Sequence, residues 1–455
     1  MRRKQEAVLS CGSFSDDQLP KTVREFHEKY KRISRILDAH AEILELAHED
    51  LKRLSAAGNK GRGGDFTSET LLRALVVHAI EGGSLRETVL RIAESDFLQD
   101  FLRTRKRAVM DHSFLDRCLQ VPRPLTWKRI NEAFARRAAS DGVIDVKTIR
   151  SDTTAVETNI HWPSDSGLLW DSWRVAARLL RRTAQIDQRL CPHRFHDRKV
   201  KNLHLFITRY AKSTSKRRQR AVRAAHRKLI ARVEWIVGIA EEICMFATGR
   251  AALEVQALAL ELRPFLRRMQ RVIQQARRAQ LQGEQVPARE RVFSIFQPHT
   301  ELIKRGRRSK PVEFGHMVLL SQTAEKFISD YETFAKRRPD SELTAVVIAR
   351  HEKLFGQRPE VLAADQGFCP EAALYEELAK CVGTLAIPRR MRDMADAVMR
   401  AWQAFRAGIE GTISGLKRAF RLARCYYRGL KRFASAVGLG VFSHNLVVLA
   451  KLPAG

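Results

Sequence analysis

From Lys21 to Leu54 the apolar residues Val23, Phe26, Tyr30, Ile33, Ile36, Leu37, Ile43, Leu44 and Leu46 recur at roughly helical spacing, which predicts helix. Gly58, Gly61, Gly63 and Gly64 break that pattern in a basic loop. Thr67 and Ser68 then offer caps for the apolar helix SETLLRALVVHAIEG, Gly82-Gly83 end it, and Ser84 with Glu87 forms a capping box for the next helix. Two short helices about a glycine turn suit a helix-turn-helix, but two packed core helices account for the pattern more simply. Pro122 and Pro124 introduce a further helix, Thr126 to Ala139. The period changes at Val143–Thr158, where Val143, Ile144, Val146, Ile149 and Val156 with three threonines predict a strand covered on both faces. Residues 171–290 read as almost pure helix.

Strand signals return at Val292–Phe296 and Val312–Ser321. After them come a helix from about Ser341 to Phe355, a strand Glu360–Asp365, a helix from about Pro370 to Lys380, a strand Val382–Ile387 and a helix from about Arg392. With 171–290 set aside the order is β-β-β-α-β-α-β-α, which argues for a mixed sheet with helices on its faces.

At 455 residues the chain is long enough for two or three domains. It carries 82 Lys and Arg against 51 Asp and Glu, a formal charge of +31, spread along its length. Such a balance points to a polyanionic partner, nucleic acid first. From Arg174 to Arg232 there are 19 Lys or Arg and two acids, Asp187 and Asp197, which suits phosphate contact better than a solvated face. His193, His196, His204 and His226 lack ligand spacing and read as polar surface. Neither an apolar run of membrane-spanning length nor a signal-peptide core stands out, so no membrane partner is expected. Seven scattered Cys without a CxxC pair suit a reducing cytosol and argue against disulfides and structural zinc.

A carboxylate on a covered strand has little freedom to drift, which suits a metal ligand, and Asp152 sits near the far end of such a strand. Asp365 closes VLAADQGF, and Glu410 lies in the helical WQAFRAGIEGTISGLKRAF. Two strand-end aspartates and a helix-borne glutamate are the parts of a two-metal site, in which ions about 4 Å apart hold the attacking and leaving oxygens of a phosphoryl displacement. No Ser-His or Cys-His pair stands out beside them. Arg406, Glu410 and Lys417 lie near one helix face, and a basic stripe of Lys417, Arg418, Arg421, Arg424, Arg428, Lys431 and Arg432 follows, interleaved with Phe420, Tyr426 and Tyr427. Trp402 and Phe405 suit the core better than stacking on an unpaired base.

Three segments, IRSDTTAVETNIHWPSDSGLL, VLAADQGF and RAGIEGTISGLKR, resemble the DDE transposases of bacterial insertion sequences. The last nearly fits that family's Y-(2)-R-(3)-E-(6)-K signature with Arg406, Glu410 and Lys417 in register and Gln403 at the tyrosine position, and RRSKPVEFGHMVLL is similar to its third strand. The resemblance implies an α/β catalytic domain with a ribonuclease H-like mixed sheet and, more loosely, a helical N-terminal domain; the helical insertion departs from the family's pattern. The expected division is a flexible leader over 1–20, a helical DNA-binding domain over 21–140, the catalytic domain over 141–170 and 291–455, and a basic helical insertion over 171–290. The insertion widens the first gap to 212 intervening residues, while 44 separate Asp365 from Glu410. The implied catalytic and metal-binding residues are Asp152, Asp365 and Glu410, with two Mg²⁺ ions for which Mn²⁺ can substitute. The candidate DNA-binding residues are Arg406 and Lys417 from that signature, Arg421 and Arg424 from the basic stripe, and Arg217, Arg218, Arg220 and Arg223 from the basic segment 174–232. The implied partners are double-stranded DNA, as transposon ends and as target, and a second copy in a homodimeric synaptic complex in the bacterial cytoplasm at the nucleoid. The implied activity is cleavage at transposon ends and joining of the free 3′ hydroxyl to target DNA. The alternatives are a transposase-derived DNA-binding protein that no longer cuts, and a nuclease or integrase sharing the site. The presence of all three carboxylates favours the active enzyme.

Overall fold

The computed structural model describes residue 4 and residues 19–55, 66–104, 109–247, 252–304, 311–390, 393–394 and 396–452. Most of the expected leader, the glycine-rich loop around Gly58–Gly64 and the basic residues Arg105, Lys106 and Arg107 lie outside the described residues. The chain forms two compact units, residues 1–159 with 315–455, and residues 160–314. The helical segment expected over 171–290 thus belongs to a wider unit, because the loop after the first strand and the approach to the third pack with it.

The first unit begins with α1 (Lys21–Ala39), α2 (Ala41–Leu51), α3 (Ser68–Glu81), α4 (Leu85–Glu94), α5 (Asp96–Leu102), α6 (His112–Gln120) and α7 (Pro124–Ser140). The predicted caps form: the Thr67 side chain accepts from the Thr70 N–H, and Ser84 and Glu87 close their capping box. Residues 68–79 of α3 are buried on every side, so this helix is core and presents no reading face. The helix predicted from Thr126 starts at Pro124, whose missing N–H costs nothing at the first helical position. β1 (Thr148–Thr158) follows.

The second unit packs α8 (Asp165–Ile186), α9 (Asp197–Tyr210), α10 (Lys216–Phe246) and α11 (Leu253–Ala276) around a core that includes Leu180, Leu229, Val233 and Met269. At the start of α8, buried Asp165 accepts hydrogen bonds from Gln275, Gln280 and Arg291. His226 is buried and bonds the Val222 carbonyl, unlike the surface position expected of it. The strand predicted at Val292–Phe296 does not form: that apolar run is irregular and sends Val292 and Ile295 into the helical core, and β2 (Glu301–Lys304) follows it.

The chain then forms β3 (Val312–Thr323), β4 (Ile328–Thr333), α12 (Leu343–Phe355), β5 (Val361–Ala363), α13 (Ala372–Cys381), β6 (Thr384–Ala386), α14 (Ala397–Ala419), β7 (Arg424–Cys425) and α15 (Leu430–Leu449). The predicted basic helical stripe 417–432 is therefore broken, by a left-handed Arg421 and by β7. The seven-stranded mixed sheet has the order β2-β3-β1-β5-β6, with β4 on β3 and β7 on β1. β1, β3 and β4 pair antiparallel in turn, while β5 and β6 run parallel to β1.

Side-chain alternation along β1 divides the interior. Ile149 and its neighbours pack with α12 residues Leu343, Val347 and Ile348, whereas Val156 packs with α14 residues Ile409 and Leu416 and with Phe433 and Val437 of α15. The N-terminal helices share a core with Phe327, Leu354 and Phe442, so they join the sheet and α15 in one body and do not stand apart as expected. α15 is long and apolar enough to cross a membrane by length and composition, a run not singled out in the sequence; 67% of its apolar window is buried in the fold, as in a core helix. Among the described residues no cysteine forms a disulfide.

Candidate active site

Asp152 stands on β1, on the same face as Arg150 and Val156. β5 runs parallel beside it in the register Thr148 with Val361, Ile149 with Leu362 and Arg150 with Ala363. The same offset carried two residues further sets Asp365 opposite Asp152, on the same face of strands about 4.8 Å apart. Asp365 lies just past the end of its strand and opens the short turn Gln366–Phe368.

α14 crosses this face and is fixed to it at two places. Arg150, only 5% exposed, donates from Nη1 to the Phe405 carbonyl at 2.7 Å and from Nε to Gln322 at 2.8 Å, with its guanidinium 4.8 Å from the Phe405 ring. A Cβ on Gly408 would stand 2.1 Å from Arg150 Nη1. A side chain there would push the helix off a guanidinium already held by two hydrogen bonds. The second tie is Gln403, whose Nε2 donates to the carbonyls of Ala364 and Ala386 at 2.9 and 3.0 Å. It closes the ends of β5 and β6 immediately before Asp365.

Held this way, the helix brings Arg406 between two acids. Arg406 Nη1 lies 3.6 Å from Asp152 Oδ2, and its Nη2 donates to Glu410 Oε1 at 3.0 Å. The Asp152 carboxyl is pushed up to about 6, first by burial, then by the charge of Asp365 and more weakly of Glu410; the Thr153 N–H and Arg406 oppose the rise. Asp365 Oδ1 is buried and has no hydrogen-bond partner among the described residues. One arginine thus offsets part of the charge of three carboxylates.

Asp152 and Asp365 fit a hard divalent cation: they offer oxygen donors on adjacent strands, one donor lacks a partner, and the local charge is in excess of anions. Glu410 is 62% exposed at the side chain and engaged by Arg406. Among the described residues no three Asp, Glu, His or Cys side chains stand close enough to hold one ion together. The structure therefore brings the two aspartates together, with the glutamate one arginine away.

The remaining candidates fall in three places. Lys417 lies on α14 two turns beyond Glu410, in the last turn, where the helix dipole favours a cation. Arg421 donates to the Gly83 carbonyl and Arg424 to Glu157 at 2.7 Å, so both already serve the fold. Arg217, Arg218, Arg220 and Arg223 all lie exposed on the first turns of α10 in the second unit, with Arg218 over the Tyr210 ring and Arg223 bonded to the Leu281 carbonyl. Sequence reasoning missed Arg150 and Gly408 and left Gln403 without a role. Gly408 carried a signal, since a glycine inside a helix costs about 1 kcal/mol and needs a packing reason. No family model, no curated protein and no solved structure matches the chain.

Proposed function

We propose that this protein is a metal-dependent DNA-cleaving and strand-transferring enzyme of the DDE transposase kind, built on a ribonuclease H-like sheet. The observation that carries the reading is the parallel register that aligns Asp152 with Asp365 under a helix bearing Arg406, Glu410 and Lys417. The sheet supports it: three antiparallel strands, β1, β3 and β4, are followed by β5 and β6 parallel to β1.

Asp152 and Asp365 would hold the first divalent cation, and Glu410 would join them once Arg406 turns away. Bound there, Mg²⁺ or Mn²⁺ would supply Lewis-acid activation of the attacking oxygen and stabilise the leaving 3′ oxygen. The chain's own residues do the rest. Arg150 and Gln403 hold α14 against the strand ends, so the ligands keep their spacing. Arg406, released from Asp152 and Glu410, and Lys417 on the same helix supply positive charge for the scissile phosphate.

A DNA-binding descendant that no longer cuts is the second reading, favoured by Arg406 occupying the space between Asp152 and Glu410. The two separate by experiment. Calorimetric titration with Mn²⁺ should give saturable binding that Asp152→Asn and Asp365→Asn each abolish, and nicking of supercoiled plasmid should require Mg²⁺ or Mn²⁺ and vanish in both variants. Saturable DNA binding without either response would establish the non-cutting descendant.

A further inference from the structure

The second unit spends its charges in two ways. On α8 and in the turn that follows α11, arginines pair with carboxylates: Arg182 with Glu261 at 2.8 Å, Arg277 with Glu234, and Arg278 with Glu284 and Glu290. On α9 and the first half of α10 they do not. Arg198, Lys201, Arg209, Arg217, Arg220 and Arg227 are exposed and make no ion pair among the described residues. The bundle could hold its fold with ordinary mixed charges, as α8 largely does, so this excess asks for an anion outside the chain.

The two exposed faces differ in kind. On α9, Arg198, Lys201, Asn202, Leu205 and Arg209 follow the 3-1-3-4 spacing of one helical stripe, with Phe206 beside it, and all are exposed. Val200 and Ile207 fill the opposite, buried side. Leu205 is 51% and Phe206 37% exposed, an apolar pair that folding leaves in water. Basic residues at both ends of the stripe, with an amide and apolar side chains at its centre, suit a helix lying in the major groove. There an amide can bond adenine, apolar groups meet thymine methyls, and the bases at the rims meet phosphates. On α10, Lys216 to Arg232 spans about 24 Å and carries basic residues without exposed large apolar ones. Such a face suits phosphates spaced along a backbone.

We propose that α9 reads base edges of duplex DNA and that the first half of α10 grips the adjacent sugar-phosphate backbone; this rests on the reading that DNA is the substrate. A basic amphipathic helix can also lie on an anionic membrane. Asn202 at the centre of the stripe and the lack of exposed apolar residues along α10 favour the duplex.

The test uses the full chain, a pool of randomised 20-base-pair duplexes, and vesicles of phosphatidylglycerol with phosphatidylcholine. The wild-type protein should enrich a sequence motif and bind the pool more tightly than the vesicles. Asn202→Ala with Leu205→Ala should lower the preference for the enriched duplex over random duplex by about tenfold or more, with random-duplex affinity within about twofold. Arg217→Gln with Arg220→Gln and Arg227→Gln should weaken both duplexes equally and reduce the slope of log affinity against log salt by about two to three. All five substitutions are at exposed positions, and circular dichroism melts check that the bundle stays folded. No enriched motif, a preference unchanged by the α9 pair, a slope unchanged by the α10 triple, or tighter binding to vesicles would each overturn the assignment. Binding is read in EDTA, without a divalent cation, so this failure and that of the cation site read out separately.

Discussion

Two carboxylate–arginine groups lie on opposite faces of one sheet. Asp330 of β4 is in register with Ser321 of β3, which is in register with Ser151 of β1. Asp152, one residue on, faces the other way. Burial raises both carboxyls, against close cations at Asp330 and against a distant one at Asp152. Their partners set them apart. Asp330 receives Lys128 at 2.5 Å and both Nε and Nη2 of Arg350 at 2.7 and 2.9 Å, while Arg350 also engages Glu332. Asp152 has one N–H bond, from Thr153, and Arg406 at 3.6 Å. A raised carboxyl alone does not mark a site. A raised carboxyl whose partners are too few, beside a second with an orphaned oxygen, does.

The largest effect separates the two groups by stability. Arg350→Met leaves the buried Asp330 carboxylate with one of its two cations and should cost about 3–5 kcal/mol, read from urea unfolding. A loss below about 1 kcal/mol would make the Asp330 group as dispensable as a surface pair and erase the contrast.

Asp152→Asn should do the reverse in metal-free protein. With the folded carboxyl at about 6 rather than near 3.8, ionising it penalises the fold; the penalty is absent below about pH 4 and complete above about pH 6. The substitution should therefore stabilise the chain at pH 7 by at most about 3 kcal/mol and by nothing near pH 4. His351 and His444 are buried and held near 4, so acid destabilises both proteins as pH falls below about 6.5, and the difference between them isolates Asp152. An Asn variant no more stable than wild type at pH 7 would mean that the site is already balanced.

Strands β1, β3, β5 and β6, the caps and the strand-end placement of Asp152 and Asp365 were legible because each rests on local pattern: β-branched runs, capping residues, and an acid at a strand end. Their alignment was not, since register depends on which strand pairs with β1 and 212 residues intervene. Short, sharply turned β4 was missed for the same reason, its six residues being defined by pairing with β3 and by Lys128 and Asn131 from α7. The apolar run Val292–Phe296 misled because burial against helices and burial in a sheet require the same side chains. Arg406 was expected to touch DNA; that it first spans Asp152 and Glu410 needed side-chain positions.

Arg406→Gln sharpens the comparison at smaller scale. If Arg406 stands where positive charge is wanted, its loss should tighten Mn²⁺ binding by about tenfold, a change of about 1.4 kcal/mol, measured by calorimetry without DNA. Weaker Mn²⁺ binding would show instead that the guanidinium holds the acids in place for the ion, and the contrast with Arg350 would shrink to one of degree.

The smallest effect concerns Gln403, because it acts on the site only through backbone. Its amide closes the Ala364 and Ala386 carbonyls at the ends of β5 and β6, one residue before Asp365. Each net hydrogen bond is worth about 1 kcal/mol, so Gln403→Ala should cost about 1–2 kcal/mol of stability. If that were all, Mn²⁺ affinity of the folded protein would not change. A positioning role predicts a further loss of a few-fold in that affinity, since Asp365 gains freedom against Asp152 and a cation needs both within tenths of an ångström. Gln403→Glu separates the two roles: it keeps size and reach but sets a carboxylate against two carbonyls, so it should lose both ties and bind Mn²⁺ as weakly as the alanine variant. Two variants equal to wild type in Mn²⁺ affinity, yet less stable, would confine Gln403 to the scaffold and leave Arg150 as the residue that fixes α14 over the aspartates.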